Sequence, residues 1–190
     1  MIGLALLQLA AAAAAPSFDC AKAHSAVEHA ICADAALAEL DREEARIYRL
    51  ARAAPEANRD ALRDRQRRFL AERDSCPESI VPLAECLRTA YLGDIAELRR
   101  LAGLADDRDG LSLGPARYVC DGGYHDVYVT VFATAPEQGW LAIPAADEGQ
   151  PLVADPAAPQ VLVGRYATDM RYAVDKAEVR VGARICTLAE

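Results

Sequence analysis

Lys176 and Lys22 are the only lysines in a chain that carries nineteen arginines. A lysine is a slim point charge on a flexible stem, whereas the guanidinium of arginine is planar and wider. On spacing alone Lys176 reads as an ordinary strand residue. The other residues able to do chemistry narrow the field. The three histidines are scattered and no CxxC occurs among the six cysteines, so no zinc site or other metal centre is expected. There is no Ser-His-Asp order with a nucleophile elbow, and no carboxylate pair that spacing can bring together. The chain reads as a non-enzyme without a cofactor. Its net charge of -8 argues against nucleic acid, which needs a basic face, and favours encounter with basic partners.

Cysteine usage sets the compartment. Residues 1–15, MIGLALLQLAAAAAA, are apolar or small apart from Gln8, and end in A-x-A steps. The run is too short for a membrane span and reads as a signal peptide cleaved near Ala14–Ala15. Phe18 and Asp19 before Cys20 do not suit a lipid anchor. A periplasmic or secreted protein follows, in which six cysteines become three disulfides. Six cysteines allow fifteen pairings. Their grouping favours Cys20–Cys32, Cys76–Cys86 and Cys120–Cys186.

Two stretches with different periods must position these residues, which makes the fold class α+β with two domains. Residues 17–102 carry a helical pattern, read as three helices. Asp34 is the expected N-cap of the first, with Leu37, Leu40, Glu44, Ile47, Tyr48 and Ala51 on one face and Glu44 its one polar break. Pro55 is expected to open the second helix, which shows Leu62, Gln66, Phe69 and Leu70 to one side. Pro82 suits the first turn of the third, whose stripe is Leu83, Leu87, Tyr91, Ile95, Leu98 and Leu101. Residues 103–111, rich in Gly and Asp, read as a linker. Their DDRDG lacks the D-x-[DN]-x-[DN]-G register of a calcium loop.

Over 112–190 the period drops to two. ARYVC and VYVTVFA flank a hairpin-like DGGYHD, and GWLAIP, PQVLVG, YAVDKAEVRVG and ARICTL follow. Evenly spaced short strands imply a small antiparallel β-barrel, closed by a disulfide between the first and last strands. For Tyr118, Tyr124, Tyr128 and Trp140, ordinary strand packing is expected, and His125 reads as a loop residue.

The first stretch resembles the N-terminal domain of the LprI lysozyme inhibitors. FDCAKA (18–23), VEHAICAD (27–34), LAELDREEARIY (37–48), the run Gln66/Phe69-Leu70/Arg73-Asp74/Cys76, and CLRTAY with Ile95 and Leu98 carry the likeness, over about 17–101. The second stretch, about 112–188, is similar to the MliC/PliC inhibitors of c-type lysozyme. It shares the opening Tyr118-Val-Cys120, the Arg165-Tyr166 step, Tyr172, Lys176 ten residues after Tyr166, and the closing Cys186. Leu162-Val163-Gly164 stands where that family has a Ser-Gly pair, with Leu162 expected in the serine's volume.

That resemblance implies a periplasmic inhibitor whose barrel loop enters the cleft of a basic c-type lysozyme, with Lys176, Arg165, Tyr166, Tyr172 and Gly164 at the contact. A retaining lysozyme keeps one carboxyl protonated and its neighbour ionised. An ammonium within about 4–6 Å favours the charged form of both and strips the general acid of its proton. The alternative is an envelope binding module that recognises another wall-active enzyme or a glycan without inhibiting it.

Overall fold

The computed structural model describes residues 15–55, 57–165, 170–173 and 178–189. It is an α+β molecule: a disulfide-tied helical unit followed by a closed eight-stranded antiparallel barrel.

The helical unit has four helices rather than the three expected. The additional one, α1 (Ala26–Ala33), is set by a capping box. Ser25 Oγ accepts from the Glu28 amide at 3.0 Å, and Glu28 Oε2 accepts from the Ser25 amide at 3.0 Å. The Cys20–Cys32 disulfide ties α1 to the 3-10 turn before it. In α2 (Ala35–Ala53) the cap is Asp34, whose Oδ1 accepts from the amides of Ala36 and Leu37. Pro55 does not open the next helix. It lies in a turn, and α3 (Arg59–Asp74) begins where the Asn58 side chain accepts from the Ala61 amide at 3.1 Å.

Pro82 immediately precedes α4 (Leu83–Leu101), and Cys76–Cys86 staples its first turn to a 3-10 turn after α3. Leu87, Tyr91, Ile95 and Leu98 are fully buried. Leu101, expected on the same stripe, is instead 54% exposed. The i+4 position from Leu98 is Ala102, and it is Ala102 that packs against the core.

The barrel runs β1 (Ser112–Cys120), β2 (Val127–Phe132), β3 (Gln138–Ile143), β4 (Glu148–Asp155), β5 (Ala158–Gly164), β6 (Met170–Ala173), β7 (Glu178–Val181) and β8 (Arg184–Leu188). Each strand pairs with the next, and β1 closes on β8 with Cys120 opposite Cys186, which are disulfide-bonded. Two strands differ from the sequence reading. YAVDKAEVRVG divides into β6 and β7, and EGQPLVAD forms β4 in spite of Pro151. Val127, Val129, Leu141, Ile143, Leu152, Leu162 and Val179 fill the interior.

The two units share a core. On β2 the odd positions turn into the barrel while Thr130 and Phe132 turn outward, yet both are buried, and Phe132 joins the helical core. Trp140 of β3 packs against the same cluster. The indole fits because Gly93 of α4 and Gly149 of β4 lack side chains. A Cβ there would lie 3.0 and 2.8 Å from ring carbons.

Residues 103–111 are held between the units by ion pairs and hydrogen bonds. Arg99 of α4 is fully buried and donates to the carbonyls of Gly114 (2.6 Å), Leu104 (2.8 Å) and Asp107 (2.8 Å), and to the Asp107 carboxylate at 3.1 Å. Arg46 of α2 binds Asp107 at 2.9 Å and Glu43 at 2.8 Å, and Glu43 accepts from the Ser112 amide at 3.0 Å. Burial alone would raise the Glu43 carboxyl, but the bonds from Arg46 and Ser112 outweigh it and hold it below its ordinary value. A buried guanidinium is tolerable here because charge and donors are matched.

Candidate functional site

Of the residues named by the resemblance, Gly164, Arg165 and Tyr172 are described, and the structure treats them differently. Gly164 is the buried last residue of β5, opposite Leu152. Arg165 follows it, its amide donating to the Pro151 carbonyl at 3.0 Å. Its guanidinium reaches across to α4 and donates to Glu85 Oε1 at 2.6 Å. Both side chains are partly exposed (39% and 23%), so the pair contributes at most about 1 kcal/mol. Its consequence is positional, since it links the residue that follows β5 to α4.

Tyr172 is buried. Its ring meets Tyr118 of β1 edge-on across the barrel, centroids 6.0 Å apart at 77°. Burial and the neighbouring Tyr172 push the Tyr118 phenol above its ordinary value. Tyr172 therefore shapes the rim from inside and does not present a ring to a partner. Leu162 is fully buried in the same interior. It does not project outward into a serine's volume, because strand alternation turns it inward.

Tyr166 and Lys176 lie outside the described residues. Their places in the chain are bracketed by described strands. Residues 166–169 follow Arg165 and precede β6, whereas 174–177 separate Ala173 from Glu178, which are paired across β6 and β7. The two connections thus leave β6 from opposite ends, about 10 Å apart for a four-residue strand.

Sequence reasoning missed two features. The first is a buried polar cluster in the helical core. Asp41, Glu44 and Asp94 are each about 95% buried. Tyr91 Oη donates to Asp41 at 2.8 Å, and Arg65 pairs with Asp94 at 2.8 Å. Among the described residues Glu44 Oε1, Asp94 Oδ2, Gln66 Oε1 and Arg65 Nε find no hydrogen-bond partner. Burial first, then the charge of Asp94, pushes the Glu44 carboxyl up to about 7. Burial likewise pushes Asp94 up to about 6 despite Arg65 beside it. The apolar spacing around Glu44 was the available sign, since a carboxylate inside such a stripe must be buried with it.

The second feature is a groove of about 410 Å³ where α4 crosses β3 and β4, bordered by Glu72, Asp94, Glu97, Trp140, Asp147 and Glu148. Its walls come from three places far apart in sequence, so no local pattern announces it. Among the described residues there is no cluster of His, Cys, Asp and Glu suited to a metal ion, and no helix long and apolar enough to cross a membrane.

No curated protein and no solved structure matches the chain. Residues 19–108, which span the helical unit and extend through Asp107 of the pinned segment, match the family described as Lysozyme inhibitor LprI.

Proposed function

We propose that the protein is an exported inhibitor of c-type lysozyme that blocks the catalytic cleft with the part of the barrel rim carrying Lys176. The observation that carries this reading is the LprI match over 19–108 on a unit that shares its core with a closed, disulfide-bonded barrel. The partner is basic and this chain is acidic, which speeds their encounter. In the cleft, the Lys176 ammonium stabilises the ionised form of the general acid, which then has no proton to give the leaving sugar. Arg165, tied to Glu85, and Tyr172, packed on Tyr118, hold the strands from which the rim segments emerge. Export would cleave the chain near Ala14–Ala15, removing residues 1–14, which lie outside the described residues.

The full chain, not the isolated barrel, is the species to test, because Phe132 belongs to the helical core. Inhibition of a c-type lysozyme by wild type is expected to weaken at least ~10-fold in Lys176→Ala, the size of one lost charge contact in a cleft. Equal potency of the two would remove Lys176 from the mechanism, and a wild type without inhibition would remove the function. A second reading, an envelope binding module that does not inhibit, is favoured by Arg165 being engaged by Glu85 and Tyr172 facing inward. Binding without inhibition would select it.

A further inference from the structure

The geometry points to the groove between α4 and β3–β4 as a second docking surface, one that receives a lysine or arginine side chain of a basic protein partner. This rests on the lysozyme reading above and extends it, placing both units on one target.

Five carboxylates border the groove, against the guanidinium groups of Arg65 and Arg100. Those two cations are already engaged, Arg65 by Asp94 at 2.8 Å and Arg100 by Glu97 at 2.6 Å. Among the described residues no ion pair engages Glu72, Asp147 or Glu148, so the groove keeps a net negative charge. Asp94 is about 95% buried and lines the groove, and its Oδ2 has no donor among the described residues. An unmet buried carboxylate oxygen is costly, and a guest cation with N–H donors supplies what is missing. The indole of Trp140 is packed against Gly93 and Gly149, which leaves the carboxylates, not a stacking platform for a sugar, to select the guest.

Location joins this groove to Arg165, at the end of β6 opposite the connection that contains Lys176. Glu85, Thr89, Gly93 and Glu97 recur every four residues and so share one face of α4. Glu85 holds Arg165, while Thr89, Gly93 and Glu97 line the groove. Twelve residues of helix from Glu85 to Glu97 span about 18 Å. A partner footprint of about 800 Å² covers both.

Trp140 is the chain's one tryptophan, so its emission reports the groove directly. The probe is a tetra-arginine amide, with tetraglycine amide as control, titrated into the full chain. The test variant is Asp147→Asn/Glu148→Gln, which removes charge without changing shape. Asparagine also tolerates the left-handed backbone of Asp147 (φ 53°). A saturable emission change is expected with tetra-arginine alone, weakened ~10-fold in the double variant and unaltered in Lys176→Ala. Affinity for a basic c-type lysozyme should fall in the same double variant and lose part of its salt dependence.

An unchanged emission, or equal tetra-arginine affinity in wild type and double variant, overturns the proposal. Undiminished lysozyme affinity in the double variant overturns the second docking contact. A groove that binds tetra-arginine in a protein that binds no lysozyme overturns the lysozyme reading and sustains the cation site.

Discussion

The interiors of the two units are built from different materials. The barrel is filled by aliphatic side chains and a pair of tyrosines, with no buried carboxylate among the described residues. The helical unit buries Asp41, Glu43, Glu44, Asp94 and Arg99 within or beside its apolar cluster. Closure explains part of the contrast. A closed barrel satisfies its backbone through strand pairing and needs only volume inside, and its covalent tie at Cys120–Cys186 joins its first strand to its last. The helices contact one another through side chains, and some of those contacts are polar. One interior therefore holds buried carboxylates that respond to pH and the other holds none among the described residues, while Phe132 and Arg99 link the two.

The largest test of that coupling is Phe132→Ala. The residue belongs to a barrel strand, yet its ring fills helical core. Its loss should lower stability by about 3–5 kcal/mol, the usual cost of truncating a buried phenylalanine. Far-ultraviolet circular dichroism, which follows the helices, and Trp140 emission, which follows the junction, should shift together in urea. A barrel signal that moves while the helical signal stays would show two independent units.

Next in size is the response to pH. Glu44 has its folded pKa raised to about 7 from an ordinary 4.5, by burial first and then by Asp94 and Asp41, with Gln66 and Arg73 opposing. The native state holds this proton more tightly than the unfolded chain. The group therefore costs nothing below about pH 4.5, and destabilises increasingly as pH rises to about 7. The loss approaches 3 kcal/mol in order of magnitude. Glu44→Gln should leave stability at pH 4 nearly unchanged and raise it at pH 8, removing part of the slope and leaving the part that buried Asp94 supplies. Urea midpoints of the two proteins at pH 4, 6 and 8 check this. Parallel pH profiles would mean that the Glu44 carboxyl is solvated.

How far such features were legible in the sequence depended on whether they are local. Period and caps are local. Leu37, Leu40, Ile47 and Ala51 marked the buried face of α2, and Asp34 its start. Alternation in VYVTVFA marked β2. The capping box Ser25-x-x-Glu28 was equally local but stands before a helix of only eight residues, too short for its period to register. Pro151 hid β4, because proline argues against a strand unless the missing N–H is not needed. The groove and the Arg99 network were not legible. Each joins residues from the helices and the barrel that only the docking of α4 on β1, β3 and β4 brings together. Arg165 was singled out for a partner outside the molecule. The Glu85 side chain that engages it lies eighty residues earlier, beyond the reach of any spacing rule.

That ion pair gives the smallest expected effect and the sharpest separation of stability from function. Glu85→Gln removes one partner of a half-exposed pair, so stability should change by less than about 1 kcal/mol. It also frees Arg165. If the pair serves to hold Arg165 in place, lysozyme inhibition should weaken several-fold at unchanged stability, because that side chain must now be ordered on binding. If Arg165 is instead withheld from the partner by Glu85, the same substitution releases a cation and inhibition should strengthen. Inhibition curves for Glu85→Gln, Arg165→Gln and the double variant distinguish these. Non-additive losses mark a positioning pair. A gain in Glu85→Gln that disappears in the double variant marks a withheld contact, in which case the helical unit limits the barrel's grip on its target.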